Sequence, residues 1–234
     1  MGMGRLAAFA VAFGLSATAG AHPCDGPLPP TATALHARLD AAAPADWPTV
    51  LAAAEAATAT GTPAARACAH YVAGSAAFFL SRPVRARAQR SWQAVRHLVT
   101  AQALAPAAMA EPRAAARLAN AWRRVGEAPG WSAKAGTRPI TLNSPGAWVH
   151  LAPPLPGAPP IALDLAKGSH RLTLRPGPWR LARLGDCAGP PATLRLGDGA
   201  VAVPAKACPV TLSVTDDGAA VPDVTVRGSE GPLA

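Results

Sequence analysis

The chain predicts an α+β protein in two segregated domains, an antiparallel α-helical array of repeat-like character followed by a small all-β sandwich. Composition shifts abruptly near Gly136: Ala-rich sequence with Arg at helical spacing gives way to Pro, Gly and short Val/Leu/Thr runs. Ahead of both lies a segment patterned as a removable address. The expected organisation is therefore a signal peptide over residues 1–21, a helical domain over 22–135 and a β domain over 136–234.

The address reading rests on order. Arg5 is followed by an apolar run from Leu6 to Leu15 and then by small residues ending Ala19-Gly20-Ala21, the n-region, h-region and cleavage site of an export signal. The run is about half the roughly 20 residues that a membrane span needs. Cleavage is expected after Ala21, leaving a chain that starts His22-Pro23-Cys24, has no transmembrane span, and resides in the periplasm or is secreted.

Helical punctuation recurs through the first domain. Leu35 and Leu39 lie on one face of a helix over 31–41 that Pro44 stops. Asp46 is placed to cap a second helix, with Pro48 in its first turn, Val50, Leu51 and Ala54 on one face, and Gly61 at its end. Thr62 and Pro63 open a third helix to Leu80; Ser81 and Pro83 repeat the pattern and open a fourth to about Leu104, closed by Pro106. A fifth runs from about Glu111 to Val125, with Gly126 as its cap. In the fourth, Val84, Ala88, Trp92, Val95 and Val99 form an apolar stripe, while Arg82, Arg85, Gln89, Gln93 and Arg96 line the other side, widened by Arg87 and Arg90. Such a row of guanidinium forks can grip phosphates or carboxylates. The competing reading is a solvated helix face.

Ala101-Gln102-Ala103-Leu104-Ala105-Pro106, followed by Leu118-Ala119-Asn120-Ala121-Trp122-Arg123-Arg124-Val125-Gly126, resembles a junction between tetratricopeptide repeats. Tyr71-Val72-Ala73-Gly74 is similar to the first-helix pattern of that family. The resemblance covers residues 45–126 and implies a groove that binds proteins or peptides, without catalysis.

From Pro139 onward short strands alternate with turn signals: 140–142, 147–151, 161–165, 170–174, 179–184, 193–196, 200–203, 210–214 and 224–226. Ser144-Pro145-Gly146-Ala147, Pro159-Pro160 and Gly168-Ser169-His170 leading into Leu172-Thr173-Leu174 resemble the PEGA domain, an extracytoplasmic β module of bacterial envelope proteins. The resemblance implies turns at residues 144–146 and 168–170. Val214 to Gly218 with Val221 to Val226 is similar to carboxypeptidase-regulatory-type β modules, in fold only.

Four cysteines in an exported chain suggest two disulfides, and of three connectivities the two-part organisation favours Cys24 with Cys68 and Cys187 with Cys208. No pair has zinc-site spacing, and no cofactor or metal site is assigned. Basic residues exceed acidic ones by 22 to 13. Over 22–135 the division is 12 to 6, over 136–234 it is 9 to 7, so the excess charge sits in the helical half. That charge serves first as a solubility feature, and anionic wall polymers or lipid headgroups also suit it; nucleic acid does not suit an exported chain.

The sequence holds no G-x-S-x-G, H-E-x-x-H, P-loop or dinucleotide fingerprint, and the histidines 22, 36, 70, 97, 150 and 170 are scattered. Asp216-Asp217-Gly218 reads as a turn ahead of a calcium ligand set. The expected function is a non-catalytic interaction or scaffolding module of the bacterial envelope, whose partner is another envelope protein or peptide. One alternative is polyanion binding through the Arg82 to Arg96 face. The other is a metal enzyme or copper protein that uses the amine and imidazole of an N-terminal His22, given a second histidine in reach.

Overall fold

A computed structural model describes residues 22–126, 136–153, 157–183, 192–195 and 200–202, with short paired segments at 215–216, 219–220, 226–228 and 231–233. The chain is α+β: helices α1 (Pro30–Ala41), α2 (Trp47–Ala57), α3 (Pro63–Leu80), α4 (Arg87–Leu104), α5 (Pro106–Met109) and α6 (Pro112–Gly126) precede the strands. The expected signal, residues 1–21, lies outside the described residues, as do Cys187, Cys208 and the strand expected at 210–214.

Thr62 caps α3 as expected, its Oγ1 accepting the Ala65 N–H at 3.2 Å, with Pro63 in the first turn. Other punctuation marks work differently. The Asp46 carboxylate does not cap α2; it accepts the Ala43 N–H at 3.0 Å, closing the preceding turn. α2 ends at Ala57, before Gly61, where the Thr58 hydroxyl donates to the Glu55 carbonyl at 2.7 Å. Ser81 closes α3 and does not open α4: it is buried, and its Oγ donates to Phe78 O and accepts from Arg124 Nη1. A 3-10 turn over Val84–Ala86 intervenes, so Val84, 79% exposed, and Ala88 fall off the apolar stripe. Pro106 starts α5 as well as ending α4, because a proline in a first turn gives up only an N–H that has no helical partner.

Alanine sets the spacing of the bundle. Ala73, Ala76, Ala77, Ala94 and Ala101 are fully buried in α3 and α4. Gly74 marks the closest approach, since a Cβ there would stand 2.6 Å from Leu98 Cγ and 3.1 Å from the Ala94 carbonyl. The Cys24–Cys68 disulfide ties the segment before α1 to α3, as the sequence favoured.

The sheet runs β2 (Ile161–Leu174), β1 (Arg138–Ala152), β3 (Pro178–Arg183), β4 (Ala192–Arg195), all antiparallel, with β5 (Ala200–Ala202) parallel to residues 141–143 of β1. β1 (Arg138–Ala152) and β2 (Ile161–Leu174) form one long hairpin, where four separate strands were expected. The expected turns at 144–146 and 168–170 lie inside the ladder, with Ser144 opposite Gly168. The turn residues do bend the ribbon. In β1 the buried positions are Ile140 and Leu142 before the bend, Val149 and Leu151 after it; in β2 they are Ile161, Leu163 and Leu165, then Leu172 and Leu174. Side chains alternate with period two along a strand, so this switch of parity, even to odd in β1 and odd to even in β2, means that the ribbon curls and presents first one face, then the other, to the core. Gly146 and Gly168, at φ +96° and +135°, occupy the inversion, in backbone conformations that side-chain-bearing residues rarely adopt.

One buried cluster runs through helices and sheet alike. At its centre Trp92 of α4, Trp122 of α6 and Trp179 of β3 (Pro178–Arg183) meet at centroid distances of 6.1 to 6.2 Å. Their indole N–H groups donate to Pro159 O, Thr173 O and Arg175 O respectively, which pairs each buried donor. Gln102 of α4 adds a reciprocal pair with Thr173, accepting its N–H at 2.8 Å and donating to its hydroxyl at 3.0 Å.

Candidate functional site

Where α2, α3 and α4 approach the hairpin they leave a cleft of about 510 Å³, lined by polar groups from both halves of the chain. Helical spacing assembles the lining: Arg66 and His70 are four apart on α3, Arg96 and Thr100 four apart on α4, with His97 beside them. The hairpin contributes Trp148 and Asp164, which are cross-strand partners, and Ala162.

A relay of three side chains runs into this cleft from α2. Glu55 Oε1 lies 3.2 Å from His97 Nε2, and His97 Nδ1 lies 3.0 Å from His70 Nδ1. With both rings neutral the polarity follows: His97 donates through Nε2 to the carboxylate, so its Nδ1 accepts the proton of His70 Nδ1. Nε2 of His70 is then the bare nitrogen. Burial, followed by the neighbouring His97, Arg66 and Arg96, pushes His70 down to about 3. Glu55 lies below the usual carboxylate range because His97 and Gln93 hydrogen-bond to it, against an opposing effect of burial.

The two arginines of the cleft differ. Arg66 is committed: Nη1 donates to Asp164 Oδ2 at 2.9 Å, Nε donates to Thr58 O at 3.1 Å, and the guanidinium stands 5.9 Å from the Trp148 ring centre. Arg96 Nε is buried with no hydrogen-bond acceptor among the described residues. Burial lowers its pKa, with Glu55 opposing. Both threonine hydroxyls at the cleft are turned to backbone, Thr58 to Glu55 O and Thr100 to Arg96 O.

The five residues read from the sequence as one binding row stand in separate surroundings. Arg82 covers the stacked rings of Trp47 and Phe79, 5.2 and 5.7 Å from their centres. Arg85 and Gln89 are exposed. Gln93 donates to Glu55 at 2.7 Å and accepts from Arg90 at 2.7 Å, and Arg96 alone lines the cleft. Sequence reading left out Glu55, Arg66, His70, His97, Trp148 and Asp164. The available signal was a set of polar residues four apart within alanine-rich helices whose other faces are apolar.

Ahead of α1, His22 stacks on His36 of that helix at 4.7 Å, and Tyr71 of α3 meets the His22 ring edge-on at 4.4 Å. No family model, curated protein or solved structure matches the chain.

Proposed function

We propose that the protein is an exported, non-catalytic binding module of the bacterial envelope that captures an acidic group, such as a carboxylate of a partner protein or peptide, in the cleft between helices and hairpin. The observation that carries this reading is Arg96, a guanidinium whose Nε is out of water with no acceptor among the described residues, in a polar cleft lined also by Trp148. An unsatisfied buried donor costs on the order of 1 to 3 kcal/mol, which an incoming oxygen acceptor recovers. Binding is favoured over catalysis because His70 is too weak a base at neutral pH and both threonine hydroxyls are engaged.

Export is part of the same proposal. Residues 1–21 are the removed signal, and the Cys24–Cys68 crosslink suits an oxidising compartment. The helical half then serves as a tetratricopeptide-like docking array, and residues 136–234 as a PEGA-like β-sandwich that supports it. No helix among the described residues is long and apolar enough to cross a membrane.

Titration with a short Asp/Glu peptide, followed by tryptophan fluorescence, tests the reading. The expected result is saturable binding that weakens with salt and falls about tenfold or more in Arg96→Gln, the cost of about 1.4 kcal/mol or more. Equal binding by wild type and R96Q, or none by either, overturns it.

A further inference from the structure

We propose that the processed amino terminus is a metal site for a divalent copper ion, held by the amine and ring nitrogen of His22 and by a ring nitrogen of His36. The inference rests on the export reading above, because cleavage after Ala21 is what creates the amine.

The anchoring is built into the fold. Cys24, two residues beyond His22, is bonded to Cys68 of α3, and Tyr71 stands one helical turn further along that helix. The disulfide and the buried Pro23 fix where the chain starts, and Tyr71 forms a wall against both imidazoles. A nitrogen of His22 and one of His36 lie within 4.8 Å of each other. Two nitrogens bound opposite one another on one ion are about 4 Å apart, at about 2 Å each, so a small side-chain movement completes the span. Cys24 Sγ shares the cluster but is part of the disulfide, and so supplies no thiolate.

The surroundings suit a cation. Asp40 Oδ2 lies 3.7 Å from His36 Nε2, which leaves Nδ1 as the ring nitrogen for the ion. Asp25 Oδ2 accepts from the backbone nitrogen of His22 at 3.0 Å, the atom that becomes the free amine. His22 Nδ1 accepts the Cys24 N–H at 3.2 Å, a bond that coordination replaces.

Proline at position 23 narrows the chemistry. A free amine followed by ordinary residues binds copper through successive deprotonated backbone amides; Pro23 has no N–H to lose. Coordination therefore closes on the His22 amine and its own ring, leaving positions for His36. Three nitrogen ligands with open tetragonal positions favour Cu²⁺ among first-row divalent ions.

The test uses the full chain, exported by a bacterial host with its signal intact and with intact mass recorded first. A mass that starts at His22 establishes the amine; a start elsewhere overturns both the export reading and this site. On correctly processed protein, Cu²⁺ alone is expected to bind one per chain with an axial electron paramagnetic resonance signal split by nitrogen. His36→Gln should weaken it roughly 100-fold and remove one nitrogen from the splitting, and so should His22→Ala, which keeps the amine and removes its ring. Both variants are checked for native circular dichroism. Absence of copper binding to protein with the correct mass, or identical binding by wild type and both variants, sinks the site and leaves export standing.

Discussion

The molecule holds two pairs of histidines, and they are built in opposite ways. His70 and His97 point nitrogen at nitrogen, 3.0 Å apart, and are oriented by Glu55. His22 and His36 lie ring on ring at 4.7 Å, with no hydrogen bond between them. The first pair shares one proton between its two Nδ1 atoms and anchors on Glu55, which fixes tautomers and makes it a structural support for the cleft. The second pair is held by ring faces, a disulfide and Tyr71, and its nitrogens turn to the Cys24 N–H and the Asp40 carboxylate, not to each other. Proximity of two imidazoles therefore says little about function until the direction of the lone pairs is known.

The contrast can be broken at its strongest point first. Replacing Cys24 and Cys68 by serine releases the start of the chain from α3; the crosslink spans 44 residues and is worth about 4 kcal/mol in the chain-entropy model. Denaturant melts should register that loss, while Arg96-dependent peptide binding persists in the folded fraction. The inner pair is the next target. His70 remains neutral in the folded protein down to about pH 3 but takes a proton near 6.5 when unfolded. Its folded pKa is depressed, so stability is complete above the unfolded value and is lost as pH falls from there towards 3. The loss amounts to a few kcal/mol. Melts at pH 7.5 and about 4.5 should show it in wild type and a flatter profile in His70→Gln. A steeper profile in H70Q would contradict the neutral buried ring.

Smaller effects sharpen the picture. Glu55→Gln removes the charged anchor of the relay and, the group being partly exposed, should cost about 1 kcal/mol near neutral pH. Because Glu55 is depressed in the fold, that contribution fades as pH falls through the carboxylate range, so the gap between E55Q and wild type should close in acid. His36→Gln should change stability by less than about 0.5 kcal/mol, since its loss unpairs no buried nitrogen. Equal stability losses in H36Q and H70Q would erase the distinction between the pairs.

Much of the helical half was legible because its signals are local. Thr62-Pro63 starts α3 and Leu35/Leu39 mark the inner face of α1, as spacing and caps dictate. Residues that can serve two neighbours were harder to place. Ser81 and Asp46 are good caps by type, yet each bonds backward to the segment it follows. In the hairpin, Ser144-Pro145-Gly146 and Gly168-Ser169 have turn chemistry, but cross-strand pairing keeps them in the ladder and converts the expected turns into a curl. The cleft stayed hidden for a different reason: its residues come from the turn after α2, from α3, from α4 and from both strands of the hairpin, stretches far apart in the sequence that meet only in the fold. Arg96 was singled out as part of a helix face, and only tertiary packing separates it from Arg85 and Gln89.

The curl of the hairpin also limits how this chain can tolerate changes in length. Adding or removing one residue on either side of Gly146 would swap inside for outside along that arm alone, setting leucines in water and polar groups in the core. Two residues would restore the alternation. Length variation in this ribbon should therefore survive in pairs, or be pushed out to Gly157–Pro160, beyond the last rung of the ladder at Leu151 and Ile161.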